Sequence, residues 1–248
     1  MKIYGILGYP LEHSFSKDYF NNKFKEEGID AQYKNLEIPH ISDLKKVLND
    51  HPTLVGFNVT SPFKEQIIPY LDRIEAEAKE IQAINCVKVE RDSNNKAILI
   101  GRNADMYGFV DSIREELSSD HQKALVLGTG GAAKAAVYGL KSIGVQPQLV
   151  SRVKTSQTIT YNDLTQEVMD AYKLIVNCTP LGMLPDTNTK APLPYHRLNS
   201  SHFLYDMIYN PEVTAFLAEG VKRGCKTKNG YDMLIQQAIK SWEIWTER

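Results

Sequence analysis

Short apolar runs recur through the first hundred residues, each followed by a polar turn and a stretch with apolar positions three and four apart. Ile3 to Leu7 reads as a strand. Ser16 to Glu27 reads as a helix stopped by Gly28, and Ala31 to Ile38 as a second strand with alternation at Tyr33, Leu36 and Ile38. Ser42 to Asn49 is expected to be helical, with Ser42 or Asp43 at its start. Thr53 to Phe57 is a third apolar run, and a helix is expected from about Lys64 to Tyr70. Ile74 to Ile81 is a charged helical stretch. Asn85 to Glu90 and Ala97 to Gly101 read as a hairpin turning through Arg91–Lys96, and Asp105 to Leu117 carries Met106, Phe109, Ile113 and Leu117 near helical spacing. After the polar loop Ser118–Gln122 the alternation becomes regular. Ala124–Leu127, Gln148–Val150, Leu174–Val176 and Phe203–Tyr205 are buried-type strands separated by helical stretches, the pattern of a doubly wound parallel sheet. Tyr231 to Trp245 is an apolar-rich helix whose docking face its pattern does not reveal.

Directly behind the third run lies Asn58-Val59-Thr60-Ser61-Pro62-Phe63-Lys64, an amide, two hydroxyls and an amine within seven residues. Pro62 restricts Ser61 to extended geometry, so the heptapeptide is expected to be a stiff polar turn at the end of a buried strand. Open α/β sheets bind ligands at such strand ends. Taken alone, the segment reads equally well as an ordinary strand-to-helix turn with a solvated lysine.

Composition narrows the picture in three ways. The chain has 248 residues, long enough for one large or two medium domains, with 42% hydrophobic and 24% charged residues. A net charge of −1 gives no reason to expect a nucleic acid or an anionic membrane surface as partner. No run approaches the roughly 20 apolar residues of a membrane span. Cys86, Cys178 and Cys225 are odd in number and widely spaced, which argues against a disulfide framework or zinc site and places the chain in a reducing compartment, the cytoplasm by default. Cys178 and Cys225 are expected to be packing residues and His13 a loop residue.

The second half carries the more specific motif. Gly128-x-Gly130-x-x-Ala133 follows an expected strand and opens an expected helix, the context a dinucleotide fingerprint requires. Gly128 permits the tight turn, Gly130 the close approach of a pyrophosphate, and Ala133 the packing of helix on strand. Thr129, Gly131 and Ala132 complete the turn and the free N–H groups of the helix start. An NAD site would carry Asp or Glu about 20 residues on. Here the next strand ends in Ser151-Arg152-Val153-Lys154-Thr155, two cations and two hydroxyls without a carboxylate, which suits the 2′-phosphate of NADP.

Outside that half stand four polar clusters: Gly8–Ser16 with Ser14 and Ser16, the heptapeptide, Gln82–Asn85, and Gly101–Asp105. Together with Asn177-Cys-Thr179-Pro-Leu-Gly-Met183, Tyr205-Asp-Met207-Ile-Tyr209 and Gly230-Tyr-Asp-Met-Leu-Ile-Gln-Gln237, they occur in an order and spacing that resembles the shikimate dehydrogenase family over essentially the whole chain. The resemblance implies an NADP-dependent enzyme that reversibly reduces 3-dehydroshikimate to shikimate in aromatic amino-acid biosynthesis, without a metal, acting as a monomer or homodimer. It implies an α/β fold in two parts: an N-terminal substrate-binding domain, residues 1–103 completed by a C-terminal helix, 231–248, and a Rossmann-like NADP-binding domain, 104–230. The active site would lie in the interdomain cleft.

By matched position, Lys64 and Asp105 would be the catalytic pair. Ser14 and Ser16 would hold the substrate carboxylate, and Thr60, Asn85, Tyr209 and Gln237 the ring substituents, with Asn58 nearby. The cofactor would meet Gly128 to Ala132, Ser151, Arg152, Lys154, Thr179, Met207 and Gly230. The chain departs from the family's usual residue at Lys17, Gln82, Cys86, Ala104 and Ser151, none of which is assigned to catalysis. A paralogue acting on quinate and a non-catalytic ligand-sensing homologue share most of these residues. Retention of both Lys64 and Asp105 argues against the sensor.

Overall fold

The protein is seen here as a computed structural model in which residues 1–11 and 14–247 are described. Glu12, Arg248 and the expected loop residue His13 lie outside them. The chain is mixed α/β and divides into two compact units, Met1–Ala104 with Ala238–Arg248, and Asp105–Gln237. No helix among the described residues is long and apolar enough to cross a membrane.

In the first unit the order is β1 (Lys2–Gly8), α1 (Phe15–Glu26), β2 (Ala31–Glu37), α2 (Leu44–Asp50), β3 (Leu54–Val59), α3 (Phe63–Gln66), β4 (Arg73–Ile74), α4 (Ala76–Ile81), β5 (Cys86–Arg91) and β6 (Ala97–Arg102). The six strands form one sheet in the order β2-β1-β3-β5-β6-β4. β1 pairs in parallel with both β2 and β3, whereas β3–β5 and β5–β6 are antiparallel. One core cluster is largely aliphatic and includes Leu7, Leu54, Ile67 and Val87. A second cluster is aromatic and gathers Tyr4, Phe20, Phe24, Tyr33 and Trp245, with Phe20 and Tyr33 stacked at 4.9 Å between centroids.

The heptapeptide is not wholly a turn. β3 continues through Asn58 and Val59, because Asn58 keeps its antiparallel partner Cys86 and Val59 N–H donates to Asn85 O at 2.8 Å. The turn begins at Thr60. The helix expected to Tyr70 is a single α-turn followed by a 3-10 turn at Ile68–Tyr70. Pro69 removes an amide donor at that point, which accounts for the break. Gln82 ends α4 with φ of 57°, a left-handed position where glycine adopts the angle without Cβ strain.

The second unit starts within α5 (Ala104–Ile113) and continues through β7 (Lys123–Leu127), α6 (Gly131–Ser142), β8 (Gln146–Ser151), β9 (Thr158–Thr160), α7 (Gln166–Ala171), β10 (Leu174–Asn177), β11 (Phe203–Asp206), α8 (Ala215–Val221), β12 (Lys226–Lys228) and the start of α9 (Tyr231–Thr246). α5 stops short of the expected Leu117, with a 3-10 turn over Arg114–Glu116. The strands are all parallel, in the order β9-β8-β7-β10-β11-β12. The order reverses direction beside β7, so the switch point of this Rossmann-type sheet falls between β7 and β10. β9 and β12 are edge strands of three residues, too short to leave an alternation in the sequence.

α9 runs from the second unit into the first. Gly108 of α5 lies so close to α9 that a Cβ there would sit 2.7 Å from Gln237 N and Met233 O. Further along, Trp245 Nε1 donates to Val87 O at 3.0 Å, and its ring covers Gly56, where a Cβ would be 2.3 Å from Trp245 Cδ1. Both contacts require the small residue.

Candidate functional site

Parallel pairing brings the C-terminal ends of β1 and β3 together in the first unit. Thr60 N–H donates to Leu7 O at 2.9 Å, and a Cβ on Gly8 would approach Thr60 Cγ2 to 2.4 Å. Phe63 N–H closes the turn onto Thr60 O, which sets Lys64 in the first turn of α3, half-buried. The carbonyl of Lys64 accepts from Ile84 N–H at 2.7 Å. The neighbouring Asn85, buried, has its side-chain oxygen on the N–H of Ala104 at 2.6 Å. The segment 82–85 thus ties the lysine turn to the residue immediately before Asp105.

Asn58 has a different place from the one its motif suggests. Its Nδ2 donates to Asn85 O at 3.2 Å and to Ser241 Oγ of α9 at 2.8 Å, so both amide hydrogens are used inside the protein. Its Oδ1 accepts from the Tyr33 hydroxyl at 2.8 Å. Tyr33 also shares a hydrogen bond with Ser16, and burial pushes its phenol well up. Ser16 is buried, and Ser14 caps α1 by accepting from Lys17 N–H. One buried carboxamide therefore links β2, β3, the 82–85 segment and α9. Tyr33 and Ser241 were missed by sequence reasoning. No local signal marks Ser241, which follows Lys240 in a helix that carries several other polar residues.

In the second unit the parallel strands deliver their candidate residues to one edge of the sheet. Gly128 has φ of +104°, a left-handed value suited to glycine, and a Cβ there would meet Cys178 O and Thr179 Cγ2 at 3.3 Å. Gly130 is the N-cap of α6, and nothing stands within 4 Å of where its Cβ would be. Ala133, in the first turn of α6, is fully buried. β8 ends at Ser151, with Arg152 exposed and near Tyr161; Lys154 pairs with Asp163 at 3.3 Å.

β10 and β11 end in a buried polar knot. Asp206 Oδ1 accepts from Asn177 Nδ2 and from Ile208 N–H, each at 3.0 Å, and Oδ2 accepts from Thr214 Oγ1 at 2.6 Å. Asn177 Oδ1 in turn accepts from Thr179 Oγ1 at 2.7 Å and Thr179 N–H at 3.1 Å. Met207 N–H donates to Asn177 O, and Gly230 N–H to Ile208 O. A Cβ on Gly230 would lie 2.2 Å from Met207 O, so these two candidates touch through backbone. Tyr209 is 39% exposed, with its phenol raised by partial burial. Gln237 is buried and donates to Leu234 O within α9.

Asp206 is fully buried, and desolvation pushes its carboxyl up to about 6 against the pull of its three donors. The folded state therefore holds this proton more tightly than the unfolded chain, whose carboxyl titrates near 3.8. The stabilising contribution is fully present below about pH 4 and lost as pH rises through about 6, an effect of about 3 kcal/mol. Thermal melts of the cofactor-free protein and Asp206→Asn across this range should show the wild type losing stability relative to the variant as pH rises. Parallel curves would remove Asp206 as the source.

A six-stranded parallel sheet with a glycine turn at its switch point, in a chain whose other α/β unit carries a lysine in the turn after a strand, is the architecture of a dinucleotide-dependent dehydrogenase. Residues 6–87 match the family model described as the shikimate dehydrogenase substrate binding domain. The shikimate dehydrogenase (NADP(+)) of Caldicellulosiruptor saccharolyticus is 35% identical over 263 aligned positions, covering 99% of this chain and 92% of that one. The crystal structure of shikimate dehydrogenase from Aquifex aeolicus superposes with a TM-score of 0.85 at 33% identity, covering 99% and 92% of the two chains. That of the Thermus thermophilus enzyme, in complex with NADP(H) and shikimate, gives 0.85 at 27% identity, covering 99% and 94%. The chain belongs to the shikimate dehydrogenase family.

The residues present fit the family's dinucleotide. At the start of α6 nothing stands where a Cβ on Gly130 would be, which leaves room for a pyrophosphate at the helix N-terminus, and β8 ends in Ser151 and an exposed Arg152, groups of a kind that suits a 2′-phosphate.

Proposed function

We propose that this protein is an NADP-dependent oxidoreductase that interconverts 3-dehydroshikimate and shikimate, with Lys64 moving the proton and Asp105 as its partner. The observation that carries the reading is the gathering of Thr60, Lys64 and Asn85 by β1, β3 and the 82–85 segment, in a chain that matches this family along its whole length. The cofactor, when bound, supplies or accepts the hydride.

The rest of the chemistry belongs to side chains. Hydride addition to a ketone builds negative charge on its oxygen, and a positioned cation that also donates a proton lowers that barrier. Lys64 is held for this by its own backbone, pinned between Phe63 and Ile84. Asp105 is the partner of this lysine in the reading, and the N–H of the residue before it, Ala104, donates to Asn85 Oδ1. Ser14 and Ser16 hold the substrate carboxylate. Thr60, Asn85, Tyr209 and Gln237 hold the ring substituents. Asn58 acts indirectly: with its amide hydrogens already engaged, it keeps the turn in register and does not grip the ring. The relatives' printed names and bound ligands support the same substrate and cofactor.

The decisive test is an absorbance assay of NADP reduction with shikimate, run beside quinate and beside NAD. Turnover with shikimate and NADP at the highest kcat/KM of the four combinations is expected. Tight shikimate binding without any turnover would identify a sensor and overturn the proposal.

A further inference from the structure

We propose that Asp206 is a positioning residue for the dinucleotide: its buried carboxylate holds the ends of β10 and β11 at the spacing in which Thr179, Met207 and Gly230 receive the cofactor. This rests on the cofactor reading above and goes beyond it, because Asp206 is not itself a contact residue.

The geometry points inward from the sheet edge. Asp206 closes β11, and its Oδ1 bridges Asn177 at the end of β10 to the backbone of Ile208. Through the opposite end of the same carboxamide, Asn177 orients both the hydroxyl and the N–H of Thr179. Ile208 passes the constraint on, since its carbonyl fixes Gly230, whose α-carbon packs on the Met207 carbonyl. Thr214 grips the other carboxylate oxygen from the N-cap of α8, so that oxygen also has a donor. The end of β10, the backbone after β11 and the N-cap of α8 thereby share one anchor.

An anionic anchor suits this work because it accepts every donor directed at it, with no requirement on its own orientation. A fully buried carboxylate with no partner cation among the described residues is otherwise unfavourable, so its presence calls for a reason. The titratable groups facing it are Cys178, Tyr195 and Tyr205, all pushed up in pKa and all neutral at physiological pH. None supplies a compensating charge. Protonation of Asp206 weakens its three accepted bonds and loosens the anchor.

The test is calorimetric titration of the cofactor-free full chain with NADP and, separately, with shikimate, for wild type, Asp206→Asn and Thr214→Val. The asparagine keeps the shape and removes the charge; the valine keeps the charge and removes the 2.6 Å donor. At mildly alkaline pH the Kd for NADP should rise about tenfold in Asp206→Asn, the scale of one hydrogen bond to a charged group, and less in Thr214→Val, with shikimate affinity within about twofold. The ratio of Asp206→Asn to wild-type Kd should shrink as pH falls below about 6, where the wild-type carboxylate is itself protonated. Taking the ratio cancels the titration of the cofactor's own 2′-phosphate. Unchanged NADP affinity in the folded variants, equal weakening of both ligands, or a pH-independent ratio would overturn the proposal; if Asp206→Asn does not fold, Thr214→Val decides by the first two criteria. Failure of the wild type to bind NADP would instead defeat the cofactor reading.

Discussion

Lys64→Ala is expected to lower kcat by about 10²- to 10⁴-fold, the usual worth of a positioned proton donor, while the Kd for shikimate changes little. The separation is expected because the turn survives the change. The backbone of residue 64 is fixed by the carbonyl bond to Ile84 and by the Thr60–Phe63 closure, neither of which uses the side chain. Truncation therefore removes the ammonium and leaves Thr60 and Asn85 where they were. What is lost is stabilisation of the developing alkoxide, an interaction made mainly in the transition state, and such losses appear in kcat. Steady-state kinetics combined with a binary shikimate titration measures both quantities. A near-normal kcat, or loss of shikimate binding in proportion to rate, would take Lys64 out of the catalytic role.

The second large effect is on cofactor choice. Arg152→Asp should raise the apparent KM for NADP by about 100-fold while leaving that for NAD unchanged or lower, since it removes a phosphate partner and installs a repelling carboxylate where NAD sites carry one. Arg152 is the residue to change because it directly follows β8 and is exposed, whereas Lys154 is already paired with Asp163. A phosphate carries about −1.5 to −2 charges at neutral pH, so reversing a contacting charge costs several kcal/mol before screening. Measuring KM for both cofactors at fixed shikimate reads the discrimination. Equal changes for the two would show that Arg152 does not face the 2′-phosphate.

How much of the site could be read beforehand depended on whether its residues carry their meaning locally. The glycine turn did so, because a φ of +104° at Gly128 is a demand on a single residue, and glycine is the residue that meets it. The lysine turn did so in part. Pro62 and the hydroxyls announced a polar turn, but the boundary fell two residues late, since Asn58 and Val59 are held in β3 by Cys86 and Asn85. Those partners lie nearly thirty residues along the chain, and no local pattern encodes a register across that distance. The short edge strands β4, β9 and β12 escaped notice for a related reason: two or three residues cannot establish an alternation.

Asn58 and Asp206 show the limit most clearly. Both stand in motifs legible at once; the sequence placed Asn58 near the substrate ring and assigned Asp206 no role. Their roles follow from what surrounds them after folding. Tyr33 and Ser241 fill Asn58 from β2 and α9, while Thr214 and Asn177 fill Asp206 from α8 and β10. Whether a polar side chain faces a ligand or serves an internal bond is decided by which donors and acceptors the tertiary fold brings within hydrogen-bonding reach of it.

From the sequence alone came the two α/β segments, the parallel sheet, the dinucleotide turn, the basic end of β8 and the positions of the polar clusters, because periodicity, glycine and proline act through the backbone within a few residues. The docking of α9 was left to the tertiary structure. Its apolar residues would suit many surfaces, and the contacts that hold it, the close approaches at Gly108 and Gly56, the acceptor at Val87 and the Asn58–Ser241 hydrogen bond, come from segments distant in sequence.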